Sequence, residues 1–413
     1  METITNNSAL NIHNFRQDFP ILSKKVNGKS HVYLDSGATA QKSKQVINAI
    51  CNYYQTQNAN VYHGIHQLSQ EITVAYENAR ITVQKHLNAA LPQEINFTSG
   101  STDSISMVAN LFENKYIKAD DEIIISEMEH QSNILLWQML FEEKGAVLKV
   151  IAINEKEELF IDEYKKLTCG KTKIVDVTHI SNTLGTVNPV KEIIALAHEK
   201  NIPVFIDGAQ AVPHIKVNVK ALEADLYCFS RNKLFGQTGV GILYRKEKWL
   251  NEMPPYIVGF STIKTVTLGK TEYADLPLKF EAGTPHIEGG IGLAAAIDYV
   301  NEIGLELIGA YEHELLEYAT TKLLAVEGLR IIGTAKEKAS AISFIIEEVH
   351  PLGVGTILDK QSVAVRTGYH CTQPLMEHFG LPSTIRASLV FYNTKEEIDV
   401  LVNGIKKAII MLK

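Results

Sequence analysis

The amino-acid sequence predicts an α/β protein: a mostly parallel sheet covered by helices on both faces, followed by a smaller α/β unit. Three observations favour this fold. Short apolar runs alternate with longer amphipathic segments along most of the chain. The 413 residues are 45% hydrophobic, which is enough to bury more than one core. After residue 325 the alternating segments become shorter. We expect a large domain at 25–295, and a small domain made of 1–24 and 296–413.

The strands of the large domain are predicted from apolar runs of strand length. These runs are EINFT (94–98), EIIIS (122–126), VLKVIAI (147–153), KIVDVTHI (173–180), PVFID (203–207), LYCFS (226–230) and VGILYR (240–245). Apolar residues at helical spacing predict helices at 41–57, 70–88, 102–115, 131–144, 190–200, 290–303 and 305–325. The segment 262–283 is expected to form an excursion or hairpin between the domains.

The smaller unit is predicted from a second series of short elements. They are ISFII, a short helix near 354–360, VAVRT, the helix-like PLMEHFG, TIRASLVFY and a last helix from 395. The alternation of strand and helix persists in this series, so a second α/β domain is expected.

Composition and charge exclude several classes of function. The net charge is −7 and basic residues form no long runs, which argues against nucleic-acid binding. No apolar run approaches the roughly 20 residues that cross a bilayer, and the N-terminus lacks the pattern of a secretion signal, so we expect a cytoplasmic protein. The four cysteines form no C-x-x-C pair, so neither a disulfide framework nor a metal site is indicated.

Residues that directly follow the strands are the first candidates for a site, because ligands of such sheets bind outside the carboxyl ends of the strands. Gly100, Ser101 and Thr102 precede a helix whose first N–H groups suit an anion such as a phosphate. The alternative is that these residues only cap the helix.

An acid and a lysine follow the next strands. Asp207 ends an apolar strand, where it either pairs with a protonated ring nitrogen of a cofactor or caps a turn. Lys233 comes just after a strand, where burial lowers a lysine pKa and favours Schiff-base chemistry; the alternative is a surface lysine. An anion site, an acid and a lysine in this order match the needs of pyridoxal 5'-phosphate, with Lys233 as its covalent anchor.

Nearly the whole chain resembles the cysteine desulfurases of the SUF iron–sulfur assembly type and the related selenocysteine lyases, in the class V aminotransferase group. The resemblance implies the aspartate-aminotransferase-like fold, known as fold type I. The motifs that carry it are DFPILSKKVNGKSHVYLDSGATAQK, ISEMEHQSNILLWQ, THISNTLGTVNP, DGAQAV, FSRNKLFGQTGVGILY, FEAGTP, VAVRTGYHC and IRASLVFYNT.

The resemblance implies roles around the cofactor ring. His130 would stack over the pyridine and is expected to be catalytic, together with Lys233 and Cys371. Asn182 would lie near the cofactor oxygen and the substrate carboxylate, and Gln210 would donate to the ring hydroxyl. For His130 the alternative is an ordinary histidine at a helix start.

The resemblance also implies a phosphate site. Ser101, Thr102 and Ser230 would hold the phosphate, and Asn232 stands where the family's histidine contacts it. Thr284 would reach across from a second subunit, which implies a homodimer.

The resemblance also implies that two arginines bind the substrate. Arg386 would clamp the substrate carboxylate, since a guanidinium offers two parallel donors, and a surface ion pair is the alternative. Arg366 resembles a second family arginine near the cysteine loop, with a functional or a structural role.

Cys371 would be the sulfur acceptor: L-cysteine becomes L-alanine, and a persulfide forms on the protein. The thiolate is the nucleophile, and His370 or Arg366 would stabilise its charge. The resemblance also implies a small sulfur-acceptor protein as partner, because a short loop would keep the persulfide near the pocket. The alternative for Cys371 is a buried structural thiol, whereas Cys51, Cys169 and Cys228 are expected to be inert.

The chain departs from the family pattern in several places. Arg231 and Asn232 replace the family's Gly-His before the lysine, and Arg231 is a possible substitute partner for the phosphate. Other departures are Tyr62, His63, Gln237 and Tyr369. Three readings therefore stay open: a desulfurase; a selenocysteine lyase or another lyase or transferase using pyridoxal 5'-phosphate; and a scaffold with weakened cofactor binding.

Overall fold

The computed structural model describes residues 12–413, apart from the side chains of Leu140 and Phe260. Its largest sheet, here the central sheet, has seven strands. In spatial order they are Ile95–Thr98, Gly241–Arg245, Leu226–Ser230, Val204–Asp207, Thr172–Thr178, Glu122–Ser126 and Val147–Ile151. Gly241–Arg245 runs in the direction opposite to the other six strands of this sheet. The mostly parallel sheet and its seven predicted strands are thus confirmed.

Most of the predicted helices pack around this sheet, and all of them are confirmed to within a few residues. They are Lys44–Asn52 with a π turn at Tyr53–Gln57, Gln67–Leu87, Ser101–Lys115, Gln131–Lys144, Val190–His198, Ile287–Ile303 and Leu305–Leu324. Further helical segments are Ile12–Arg16, Pro20–Ser23, Pro92–Glu94, Ile161–Leu167, Val219–Leu222, Glu247–Glu252, Phe260–Thr262 and Leu278–Phe280. The sequence analysis does not predict these short segments, because fewer than three turns give little periodic signal.

The C-terminal unit contains a four-stranded antiparallel sheet, here the C-terminal sheet. Its strands, in spatial order, are Leu329–Ile332, Ala341–Ile346, Thr384–Ser388 and Arg366–Gly368. Its helices are Pro351–Lys360, Gln373–His378 and Lys395–Leu412. The last begins with a capping box, in which Thr394 and Glu397 each accept from the other's backbone N–H. The elements predicted for this unit are present.

An early segment joins the C-terminal unit. Val32–Tyr33 pairs in parallel with Val363–Ala364. Val32 and Leu34 are buried in the same hydrophobic cluster as Phe344 and Leu401. The chain therefore crosses between the two cores before it enters the central sheet. The domain boundaries given above stay a prediction, and residues 1–11 of the predicted small domain lie outside the described residues.

Two hairpins complete the fold. Lys25–Val26 pairs with Lys29–Ser30, and Ile263–Val266 pairs with Thr271–Tyr273, which confirms the hairpin predicted within 262–283. Over residues 12–413, no helix is long and apolar enough to cross a membrane.

Candidate active site

The residues of the predicted anion site lie together where the helix Ser101–Lys115 begins beside the end of the strand Leu226–Ser230. The backbone N–H of Ser101 donates to Ser230 Oγ at 2.7 Å, and Ser230 Oγ donates to Ser101 Oγ at 2.9 Å. A Cβ added to Gly241 would lie 2.5 Å from the Cα of Gly100, so only glycine permits this close approach. Thr102 Oγ1 lies 3.0 Å from Ser132 Oγ. The helix start therefore presents N–H and hydroxyl groups together, as an anion site requires.

Thr284 lines a cavity beside this helix start but does not bond to it within one chain. It is exposed and lines a surface cavity of about 390 Å³ together with Thr98, Ser99 and Asp103. In residues 12–413 it makes no hydrogen bond to the Ser101–Ser230 pair. Its contribution across a subunit interface stays a prediction.

Lys233 lies in the turn after the strand that ends at Ser230. Burial lowers the pKa of its ammonium group, and Arg386 lowers it further, against an opposing effect from Asp207. Its Nζ has no hydrogen-bond partner in the part of the chain that the structure describes. A buried amine with a lowered pKa and free donors is suited to covalent chemistry with an aldehyde.

Asp207 and Gln210 lie in the next turn along the sheet. Asp207 Oδ1 accepts from the backbone N–H of Ala209 at 2.9 Å and lies 3.9 Å from Cys228 Sγ. Asp207 is buried, and its Oδ2 has no hydrogen-bond partner among residues 12–413. Gln210 Nε2 donates to the carbonyl oxygen of Gly37 at 2.9 Å, so the predicted ring-hydroxyl donor is engaged with the backbone.

His130 is the cap of the helix Gln131–Lys144, because its Nδ1 accepts from the backbone N–H of Ser132 at 3.2 Å. Burial lowers the pKa of His130, and the neighbouring Lys233 lowers it further. The ring is therefore held in its neutral form, which suits stacking on another ring. Capping and stacking are compatible, since capping uses only Nδ1.

Glu129 precedes His130 and holds this turn through buried hydrogen bonds, and the sequence analysis does not identify it. Its carboxylate accepts from the backbone N–H of Thr178 at 2.8 Å and from Asn133 Nδ2 at 2.7 Å. Complete burial raises the pKa of Glu129 to about 7. The only sequence signal was its place beside His130 in a motif after a strand.

The turn that carries Cys371 is fastened to the central-sheet side of the site. Asn182 Nδ2 donates to the carbonyl oxygen of His370 at 2.7 Å, and the backbone N–H of Gln131 donates to the carbonyl oxygen of Cys371 at 2.7 Å. Cys371 itself is exposed, so it is not the buried structural thiol of the alternative. Its neighbours therefore hold the backbone while the thiol stays accessible. Cys51 is also exposed, whereas Cys228 is buried in its strand.

His370 does not supply positive charge to Cys371. Burial, together with the neighbouring charges of Arg386 and Arg366, lowers the pKa of His370 to about 3, so the ring is neutral near pH 7. Its Nε2 lies 2.9 Å from Thr384 Oγ1. A neutral ring supplies no positive charge to the thiolate, so of the two expected neighbours Arg366 is the charged one.

Arg386 and Arg366 face one carboxylate. Arg386 is 3% exposed; its Nη1 donates to the carbonyl oxygen of Asn182 at 2.8 Å, and its Nε is buried without a partner. Arg366 donates to both oxygens of Asp35, at 3.0 and 2.8 Å. Burial lowers the pKa of Arg386 to about 10, which leaves it charged near pH 7. The sequence analysis does not identify Asp35.

Arg231 and Asn232 serve the surrounding backbone. The buried guanidinium of Arg231 donates to the carbonyl oxygens of Gln237 (2.7 Å), Thr238 (2.8 Å) and Gly289. All three nitrogens of the guanidinium are engaged with backbone carbonyl oxygens, which disfavours Arg231 as a substitute partner for a phosphate. Asn232 Nδ2 donates to the carbonyl oxygen of Ala38 at 3.0 Å, and its contact with a phosphate stays a prediction.

Comparison with known proteins gives a consistent family assignment. The family described as "Aminotransferase class-V" matches residues 32–401. A cysteine desulfurase of Synechococcus elongatus is 46% identical over 399 residues, which are 97% of this chain and 64% of that protein. A cysteine desulfurase of Enterobacter sp. strain 638 is 47% identical and is covered over 98% of its length, with 96% of this chain.

Some relatives are longer than this chain. The chain spans 64% of the Synechococcus elongatus protein and 57% of a probable cysteine desulfurase of Mycolicibacterium paratuberculosis. Among solved structures, the Escherichia coli cysteine desulfurase CsdA superposes with a TM-score of 0.91 at 33% identity, covering 98% of this chain and 99% of that one. The apo cysteine desulfurase of Thermococcus onnurineus NA1 gives 0.92 at 35% identity, with 97% and 98% covered.

Proposed function

The chain belongs to the class-V aminotransferase family, and we propose that it is a pyridoxal 5'-phosphate-dependent cysteine desulfurase, which moves the sulfur of L-cysteine to Cys371 and leaves L-alanine. One observation carries this proposal. Asn182 donates to the carbonyl oxygen of His370 at 2.7 Å and accepts from Arg386 at 2.8 Å, so it joins the turn of the exposed Cys371 to Arg386, and Cys371 interacts electrostatically with Lys233. The names of the relatives at 46–47% identity support the same activity.

The residues present fit the cofactor. Ser101 and Ser230 at the helix start would hold its phosphate, and Asp207, with a carboxylate oxygen free of partners among residues 12–413, would pair with its ring nitrogen. Lys233, whose Nζ has no hydrogen-bond partner in the described chain, would anchor it covalently. Bound there, pyridoxal 5'-phosphate supplies an electron sink for bonds at the substrate α-carbon.

Three side chains of the protein would then have separate roles in the reaction. Arg386 binds the substrate carboxylate with its buried Nε, which has no other partner. Lys233 Nζ, whose pKa burial lowers, takes and returns a proton at the substrate α-carbon. The thiolate of Cys371 attacks the substrate sulfur: an S–S bond forms, the C–S bond breaks, and a proton restores alanine. The sum is L-cysteine plus thiol giving L-alanine plus persulfide.

Two assemblies complete the proposal. A homodimer is supported by Thr284, which is exposed, lines a surface cavity beside the helix start and makes no hydrogen bond to Ser101 of its own chain among residues 12–413. A small acceptor protein that offers a thiol would take the sulfur, because Cys371 is exposed to solvent.

Mass spectrometry of the Cys371 peptide after incubation with L-cysteine tests the activity. We expect a gain of one sulfur atom together with release of alanine, both lost in Cys371→Ala and both kept in Cys51→Ala, the matched exposed thiol. Alanine release that persists in Cys371→Ala contradicts the proposed sulfur transfer. Selenocysteine cleavage that persists there, without persulfide on the native protein, indicates a lyase.

A further inference from the structure

Asp35 is a carboxylate shared by the two arginines of the candidate site. It follows the short strand Val32–Tyr33 and accepts from Nε and Nη2 of Arg366 at 3.0 and 2.8 Å. Its Oδ1 also lies 3.6 Å from Nη2 of Arg386. Arg366 and Arg386 are direct partners in adjacent strands of the C-terminal sheet, so one carboxylate faces both guanidinium groups.

The backbone fixes the position of this carboxylate. Asp35 forms an isolated parallel bridge with Ser388, and the N–H of Ser388 donates to the carbonyl oxygen of Leu34 at 2.7 Å. Gly37 packs directly on the arginine: an added Cβ would lie 2.7 Å from Ser388 Oγ and 3.4 Å from Arg386 Nη2. The segment 35–37 is therefore one wall of the Arg386 pocket.

The two arginines use Asp35 differently. The two-point contact of Arg366 occupies both carboxylate oxygens. The 3.6 Å separation from Arg386 exceeds a hydrogen bond, so Asp35 compensates the charge of Arg386 without occupying its Nε. A buried guanidinium without such compensation is unfavourable, and a guanidinium with all donors occupied could not bind a substrate.

We propose that Asp35 is an affinity-setting residue, an internal carboxylate that competes electrostatically with the substrate carboxylate for the arginine pair and so sets how tightly the site holds carboxylates. Two cations and one anion leave a net positive charge that admits a single further carboxylate. Repulsion from Asp35 then weakens the binding of substrate, product and other anions alike. This inference rests on the proposed function only in assigning that carboxylate to L-cysteine and L-alanine.

The test compares two alkylating reagents at Cys371: iodoacetate, which carries a carboxylate, and iodoacetamide, its neutral analogue. Both react with the same thiolate, so the ratio of their rate constants cancels the thiolate fraction and reports attraction of the reagent's charge. Cys371 interacts electrostatically with both Arg386 and Arg366, so it lies within range of the proposed effect. Peptide mass spectrometry separates it from Cys51, which is the internal reference.

In Asp35→Asn we expect the iodoacetate-to-iodoacetamide ratio at Cys371 to rise on the order of tenfold, because a nearby negative charge is removed. Asp35→Glu keeps the charge and should keep the ratio within about twofold of the native value. The matched control is Asp399→Asn, which removes the same charge from the outer helix Lys395–Leu412. It should leave the ratio unchanged.

A ratio that is unchanged or lower in Asp35→Asn overturns the proposal and leaves Asp35 a purely structural partner of Arg366. If Asp35→Asn does not fold, Asp35→Glu and Arg366→Ala decide the question. Removing the cation in Arg366→Ala should lower the iodoacetate-to-iodoacetamide ratio. A raised ratio in Arg366→Ala, together with a native ratio in Asp35→Glu, therefore also contradicts the proposal. The measurement needs no turnover. A protein without desulfurase activity therefore still gives a ratio, and the two failures are distinguishable.

Discussion

The side-chain amide of Asn182 donates a 2.7 Å hydrogen bond to the carbonyl oxygen of His370, the residue before Cys371. This contact joins the central-sheet side of the site to the turn that carries the thiol. The backbone of that turn is left-handed at His370 and Cys371, with φ of 52° and 58°. Such a conformation is unfavourable for residues with a side chain, so the turn depends on contacts that hold it.

Asn182→Ala should therefore slow persulfide formation on Cys371. Removing the amide leaves the His370 carbonyl without its donor, a loss of about 1–2 kcal/mol, which corresponds to roughly a five- to thirtyfold slower transfer. Single-turnover mass spectrometry of the Cys371 peptide measures the rate. The control is Asn301→Ala, which removes an exposed asparagine that contacts His86. A native rate in Asn182→Ala would contradict a role of this hydrogen bond in sulfur transfer.

Lys233→Ala should abolish covalent attachment of the cofactor. We expect borohydride to label the Lys233 peptide of the native protein and no peptide of the variant, with a loss of turnover of at least about a hundredfold. Lys216→Ala is the matched control, since Lys216 is an exposed lysine paired with Glu306. Label on a different lysine of the native protein would contradict the assignment.

His370→Gln should reduce the acid sensitivity of the fold. Burial lowers the pKa of His370 to about 3, below its unfolded value of roughly 6.5, so the unfolded state binds the proton more readily. The neutral ring's contribution is complete above pH 6.5 and is lost as the pH falls towards 3. Between pH 7 and pH 4 the native protein should lose up to about 3 kcal/mol more unfolding free energy than the variant.

Urea denaturation at pH 7, 5.5 and 4 measures this difference. His313→Gln is the control, because His313 is an exposed histidine paired with Glu317 on the surface of its helix. Parallel pH profiles for the native protein and His370→Gln would show that the buried ring makes no such contribution.

Arg231→Ala should destabilise the fold without weakening cofactor binding. The guanidinium satisfies the carbonyl oxygens of Gln237, Thr238 and Gly289, and their loss as a set should lower the unfolding free energy by about 3 kcal/mol. Urea denaturation measures the first effect and a cofactor titration the second. Arg330→Ala, at an exposed strand position, should change stability by less than about 0.5 kcal/mol. Weaker cofactor binding in Arg231→Ala would support the phosphate role that its backbone contacts disfavour.

The sequence analysis identified the elements and residues that a local pattern in the sequence marks. Apolar runs of strand length predicted the central sheet, and inspection of the residues just after those strands led to Ser101, Asp207 and Lys233. Those residues lie together because carboxyl ends of parallel strands share one edge of a sheet. Motifs of a known family supplied Cys371 and Arg386, which local pattern alone does not distinguish from inert residues.

Other features depend on partners far away in the chain. Asp35 meets the guanidinium of Arg366 across 331 positions. Arg231 meets Gly289 across 58 positions, and its partners there are backbone carbonyls that carry no sequence signal. The neutral state of His370 likewise follows from burial beside two arginines and not from its own motif. The amino-acid sequence by itself thus determined the fold class and the chemical groups available to the site. Tertiary structure alone decided their charge states and pairings, because desolvation and Coulomb interactions depend on distances in space that separation along the chain does not report.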